Sequence, residues 1–227
     1  MPQQDRDMGH VQEPGIACNQ GGREYMEDRS VVAKIPGGML FAVFDGHGGS
    51  VVADHACAAV VTSSTAAVGD WASPESFWRS VFSRLDLDVT GCGSTATTII
   101  RRSDELSLAW VGDSRALLLR PSDYAVLTRA HRTDRDDERR RVLSAGGNLR
   151  GRYVVDPLTL RGLMITRSLG DRDLRRIGVI SEPEIVTVDM TSNVKGHGDA
   201  RIGGRSPSVL AVSFHGGCSS HRKRRSL

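Results

Sequence analysis

The chain has 227 residues, 39% of them hydrophobic and 25% charged, which is enough to bury one substantial core and too mixed for a fibrous or wholly disordered chain. Its net charge of +3 is uneven: from Lys195 onward seven Lys or Arg face one acid, Asp199, so the preceding 194 residues carry about −3 and the basic balance is no argument that the folded body binds nucleic acid. No run approaches the ~18 apolar residues that span a bilayer, and Cys18, Cys57, Cys92 and Cys218 have neither CxxC spacing nor a zinc-finger histidine, which argues against a zinc knuckle or a disulfide framework. Reduced thiols, and an N-terminus without an apolar leader segment, lead to the expectation of a cytoplasmic or nuclear protein.

Residues 1–15 are polar and turn-rich, a flexible lead-in. In GGREYMEDRS (Gly21 to Ser30) the adjacent acids Glu27 and Asp28 follow Arg23; taken alone, such a pair belongs on a solvated surface. The apolar run Met39 to Phe44, bounded by Gly37-Gly38 and Asp45-Gly46, predicts a buried strand that delivers Asp45 to a loop at its end. There Asp45-Gly46-His47-Gly48-Gly49 groups a carboxylate, a backbone free to take unusual conformations and an imidazole. Without a side chain on Gly46 its carbonyl can approach a cation closely, and Asp45 has two oxygens with which to bridge two ions. An Asp-Gly turn followed by a solvated histidine is the plainer alternative.

Residues 49–68, rich in Ala and Val, predict a helix with a broad apolar face. A second helix follows from Ser73-Pro74-Glu75, which supplies an N-cap, a first-turn proline and a favourable acid, with Phe77, Val81 and Leu85 at helical spacing. From Gly93 the pattern turns to short strands, Ser94 to Ile100, Leu106 to Val111 and Ala116 to Leu119, separated by turn-prone Arg102-Ser103-Asp104 and Gly112-Asp113-Ser114. Asp134 to Ala145 predicts a surface helix with Asp136/Arg140 and Asp137/Arg141 pairs, ended by Gly146-Gly147. More strands are expected at Leu163 to Thr166 and Glu184 to Val188. Runs of strands with helices between them point to an α+β or layered sandwich architecture, with one domain over 16–190 and a disordered basic tail over 191–227.

Five segments in order, Arg23-x-x-x-Glu27-Asp28, FAVFDGHGG (Phe41 to Gly49), GSTA (Gly93 to Ala96), GDSRA (Gly112 to Ala116) and RSLGD (Arg167 to Asp171), with ISEPEIV (Ile180 to Val186) behind them, resemble the motif series of metal-dependent type 2C (PPM) serine/threonine protein phosphatases. The resemblance covers roughly residues 15–190. It implies two antiparallel sheets packed face to face with helices outside, acting on phosphoserine and phosphothreonine protein substrates as a monomer, with no membrane or nucleic-acid partner. It implies two Mn²⁺ or Mg²⁺ ions: Asp45 bridging them, the Gly46 carbonyl on one, Glu27 and Asp28 holding metal-bound waters, and Asp113 at an additional, weaker position. Asp113 reads equally as the aspartate of a tight turn. Arg23 is then the phosphate-gripping side chain, and His47 the general acid for the departing seryl or threonyl oxygen, since imidazoles exchange protons near neutral pH. Ser94 and Thr95 are expected to be small packing residues, not nucleophiles.

After about Asp189 the family would continue with a strand ending in a ligating Asp-Gly and a later Asp-Asn pair, and neither occurs in this sequence. Pro207 to Gly217 only echoes the first motif, with His215 where aspartate is expected. Two divalent ions about 4 Å apart repel by roughly 17 kcal/mol at an effective dielectric of ~20, so fewer carboxylates predict a weak second metal site. The alternative function is therefore a catalytically impaired, phosphatase-like binding protein, the product of a splice or gene-model variant. HRKRR (His221 to Arg225) reads as a solvated basic tail.

Overall fold

The computed structural model of the chain describes residues 14–67, 71, 73–119, 123–190 and 209–213, the last five by their backbone alone. In chain order the first elements are β1 (Arg29–Ile35), β2 (Gly38–Phe44), β3 (Gly46–His47), α1 (Val51–Ala66), α2 (Pro74–Leu85), β4 (Gly93–Ser94), β5 (Ala96–Arg102) and β6 (Glu105–Val111). They continue with β7 (Arg115–Leu119), β8 (Tyr124–Val126), α3 (Asp136–Ser144), β9 (Asn148–Arg150), β10 (Tyr153–Val155), β11 (Gly162–Leu163) and β12 (Leu169–Gly170). A 3-10 turn (Arg172–Ile177), β13 (Glu184–Asp189) and β14 (Val209–Ser213) follow.

The main sheet is antiparallel in the order β1-β2-β5-β6-β13, and a second sheet runs β14-β7-β8. Strand alternation sends successive side chains of β6 to opposite faces. Ala109 and Val111 join Leu40, Phe44, Phe77 and Trp78 in the core beneath α1 and α2. Leu106 and Leu108 join Ile99 of β5 and Ala116, Leu118 and Ala125 of the second sheet. The result is the expected α+β sandwich: helices, five-stranded sheet, second sheet. β5, a central strand covered on both faces, is buried from Ala96 to Ile100, and within it the Thr98 hydroxyl donates to the Ala109 carbonyl at 3.0 Å.

Helix α2 forms as its sequence dictates. The Ser73 hydroxyl accepts a hydrogen bond from the Ser76 amide at 3.3 Å, Pro74 opens the first turn, and Phe77, Trp78, Val81, Phe82 and Leu85 make one buried face. Burying each such side chain stabilises the fold by about 1.5–3 kcal/mol. The Trp78 indole N–H, carried into the core, donates to the Ser107 hydroxyl at 2.8 Å.

Two expectations need correction, and one strand was not foreseen. The helix at 134–145 is not a simple surface helix with i,i+4 pairs: Asp137 binds Arg135, while Arg141 binds Glu138, which is fully buried. A buried carboxylate needs compensating charge, and it takes Arg141 and Arg167 for that purpose. The strand expected at Leu163 to Thr166 is confined to Gly162–Leu163, where it pairs with β10. Strand β1 has no counterpart among the sequence-predicted strands, although it pairs with β2 along its whole length. Within 191–227, Val209–Ser213 forms β14 and pairs in register with β7; His215 and HRKRR lie outside the described residues, as do positions 1–13 of the lead-in. Among the described residues, no helix is long and apolar enough to cross a membrane.

Candidate active site

A three-stranded ribbon only two residues wide, β12-β4-β3, gathers segments that are far apart in sequence. On β4, Ser94 faces Gly46 and Leu169, while Gly93 faces His47 and Gly170. The DGH, GST and SLG segments are thus held together by backbone pairing. Gly93 is required by close approach: a Cβ there would stand 2.6 Å from His47 Nε2 and closer still to the Asp171 carboxylate. Gly46 is required likewise, because its Cβ would meet the Glu27 carbonyl at 2.6 Å.

Asp45 leaves the end of β2 with its backbone fixed on both sides. Its amide donates to Thr95 Oγ1 at 3.1 Å, and its carbonyl accepts from the Thr95 amide at 2.9 Å. The Asp45 carboxyl is pushed up to about 7, first by burial and then by the neighbouring carboxylates of Asp28 and Asp113, with His47 opposing. Asp28 Oδ1 is buried and has no hydrogen-bond partner. Two crowded carboxylates, one with an orphaned oxygen, form a group that a shared proton or a cation would stabilise.

The remaining acids are drawn off. Glu27 Oε1 accepts from the Gly49 amide at 2.6 Å, in the turn leading into α1. Asp113 Oδ2 accepts from Arg132 Nε at 2.9 Å and Nη2 at 2.5 Å. Accordingly, among the described residues no three His, Cys, Asp or Glu side chains converge closely enough to hold one ion. Asp113 does lie in the turn between β6 and β7, and its charge reaches Asp45, but an internal guanidinium holds it.

His47 Nε2 stands 2.7 Å from Asp171 Oδ2, with side-chain exposures of 27% and 0%. Asp171 also accepts from the Ser168 hydroxyl at 2.7 Å and from Arg161 Nη2 at 2.8 Å. Burial would raise the Asp171 carboxyl, but the hydrogen bond and charge of His47, with help from Ser168 and Arg161, hold it below the usual carboxylate range. An ionised carboxylate at Nε2 makes that nitrogen a donor and leaves Nδ1 as the nitrogen available for proton exchange. Asp171 has a left-handed backbone, φ 49°, a conformation rare outside glycine that the surrounding contacts maintain.

Arg23 lies exposed in the loop before β1, and its guanidinium makes no hydrogen bond or ion pair among the described residues. The structure therefore brings together Asp45, Asp28, Gly46 and His47, places Glu27 beside them and ties Asp113 to a different partner. Asp171, Arg132 and Thr95 had no site role in the sequence. Asp171 closes the RSLGD segment, and Thr95 was expected only to pack, whereas its hydroxyl links Asp45 to Ser114, 2.8 Å away. His131 carried no signal at all. Buried and stacked on Trp110, it accepts from the Gly112 amide at 3.1 Å through Nδ1. Burial first of all lowers its pKa, and its Nε2 lies 3.4 Å from Glu184 Oε2 without a directed hydrogen bond.

The family model described as Protein phosphatase 2C matches residues 13–196. Mitochondrial protein phosphatase 1K of Xenopus laevis is 32% identical over 202 residues, which cover 80% of this chain and 53% of the relative. Probable protein phosphatase 2C 45 of Oryza sativa subsp. japonica is 34% identical over 191 residues, covering 75% of this chain and 64% of that protein. Among solved structures, the serine-threonine phosphatase 2C of Toxoplasma gondii shares the fold at a TM-score of 0.65 and 19% identity, covering 74% of this chain and 71% of that one. A C. elegans sex determining protein matches at a TM-score of 0.62 and 28% identity, covering 74% of this chain and 46% of that one. The chain thus spans between about half and two thirds of the length of these curated relatives.

Proposed function

The chain belongs to the protein phosphatase 2C family, and from that membership we propose that it hydrolyses phosphoserine and phosphothreonine in proteins by direct attack of water, without a phosphoenzyme. The observation that carries this reading is the juxtaposition of the Asp45 and Asp28 carboxylates with a histidine whose Nε2 is fixed by Asp171.

The donor types suit Mn²⁺ or Mg²⁺, hard ions that take oxygen ligands: the orphaned Asp28 Oδ1 and the raised Asp45 carboxyl lie together, and Gly46, next to Asp45 in the chain, adds a backbone carbonyl. Asp45, Asp28 and Gly46 would hold the cation, with Glu27 at the margin. Bound there, it supplies Lewis-acid polarisation of water and phosphate and offsets developing negative charge.

The chain's own residues do the rest. Thr95 and the β2 strand end hold the Asp45 backbone against displacement. Asp171 keeps the His47 ring in one orientation through Nε2, which leaves Nδ1 to give a proton to the departing seryl or threonyl oxygen. Arg23, exposed and charged, is the side chain assigned to grip the arriving phosphate, since a planar guanidinium makes paired charge-assisted hydrogen bonds.

A second reading, a phosphopeptide-binding member of the family without turnover, is favoured by one observation: Glu27 and Asp113 spend carboxylate oxygens on protein donors. Hydrolysis of a phosphothreonine peptide in Mn²⁺ separates the two. A Mn²⁺-stimulated rate that Asp45→Ala abolishes supports the phosphatase; a rate no higher than that of Asp45→Ala refutes it and leaves the binding protein.

A further inference from the structure

We infer that Arg132 is a resident cation of this site: its guanidinium, not a metal ion, is the partner of Asp113 in the resting protein, and a metal must compete with it for that carboxylate. The inference rests on the reading of Asp45 and Asp28 as a cation-binding pair.

Two donors of one guanidinium converge on the same oxygen, Asp113 Oδ2, at 2.9 and 2.5 Å, with the carboxylate side chain 12% and the arginine 21% exposed. Arginine stays charged at any ordinary pH, and a pair this sheltered is only weakly screened by salt. A divalent ion drawn to the remaining Oδ1 would meet the guanidinium charge across the same carboxylate. The pair is also held from behind. The His131 amide donates to the Gly112 carbonyl at 2.9 Å, and the Gly112 amide donates to His131 Nδ1 at 3.1 Å. The residue before Arg132 is therefore clamped twice to the residue before Asp113, and the His131 ring is pinned against Trp110. On the far side, Ser114 hydrogen-bonds Thr95, which holds Asp45. Arg132 is thus part of a braced turn and does not behave as a loose surface arginine that a metal could push aside at little cost.

The arrangement has a chemical consequence. Asp113 adds to the negative charge that Asp45 experiences, so an unpaired Asp113 would enlarge the cluster's demand for cations. Arg132 meets that demand with a charge that no chelator can remove.

Counting bound Mn²⁺ by the loss of its free-ion electron paramagnetic resonance signal tests this, using wild type, Asp113→Asn, Arg132→Ala and the double variant. Wild type and Asp113→Asn are expected to bind equal numbers of ions with affinities within about 2-fold. Arg132→Ala is expected to gain one additional ion, which the double variant lacks. Loss of an ion in Asp113→Asn, or no gain in Arg132→Ala, overturns the inference. If Arg132→Ala fails to fold, the wild-type comparison with Asp113→Asn still decides, together with the Arg132 Nε–H nuclear magnetic resonance signal, assigned with Arg132→Lys. That signal should persist in saturating Mg²⁺, and its disappearance there also overturns the idea. Failure of the phosphatase reading shows separately, as phosphopeptide turnover that Asp45→Asn does not change.

Discussion

His47 on β3 and Asp171 beyond β12, 124 residues apart in sequence, meet at 2.7 Å because β4 pairs with both of their strands. The carboxylate is wholly buried and the imidazole partly open, the polarity expected of a pair in which one member is fixed and the other exchanges protons with what lies outside.

Replacing Asp171 by Asn keeps the shape and removes the charge. The expected result is a fall in kcat of about 10- to 100-fold on a phosphothreonine peptide with KM nearly unchanged, since general-acid catalysis is worth about 10²–10⁴-fold in all. On an aryl phosphate with an acidic phenol as leaving group, which departs without protonation, the loss should shrink towards none. Equal losses on both substrates would mean that Asp171 serves the fold and not the proton transfer.

Gly93→Ala is a sharper probe, because the added methyl group intrudes between the same two side chains. Stability should fall by about 1–3 kcal/mol, as overpacking typically costs, and activity should fall at least as far as in Asp171→Asn. Thermal unfolding and the peptide assay check this, and wild-type values for both would show that β4 has room the structure does not reveal.

Asp45→Asn separates function from stability. It should abolish metal-stimulated turnover, yet raise the melting temperature of the metal-free protein, because it removes a buried carboxylate crowded by Asp28 and Asp113. A gain of about 1 kcal/mol corresponds to roughly 2–4 °C for a chain of this size. A lower melting temperature in chelator would refute the crowding.

Acid should weaken the fold through Glu184. Burial would raise its carboxyl, but nearby His131 and the paired donors of Arg135, at 2.5 and 3.0 Å, hold it down at about 2. A carboxyl depressed in the folded state contributes stability that is complete above its unfolded value, near 4.5, and is lost as pH falls from there to about 2. Denaturant midpoints measured across that window should fall for wild type and change less for Glu184→Gln, which is already destabilised above it. Parallel pH profiles would place the acid sensitivity elsewhere, with Glu138 the next residue to examine.

Local pattern in the chain encodes the capped amphipathic helix α2, the apolar strand that delivers Asp45, the glycines that allow close backbone approach, and the kinds of side chain gathered in DGHGG. Those signals act over a few residues, through capping, strand alternation and backbone freedom. Which partner each charged group takes is settled by how the folded segments meet. Asp171 finds His47 through the pairing of three short strands, Asp113 finds Arg132 through two clamped turns, and Glu138 finds Arg141 and Arg167 because it is buried. The pairing of these carboxylates is set by desolvation and by distances between segments far apart in the chain, for which no sequence period exists.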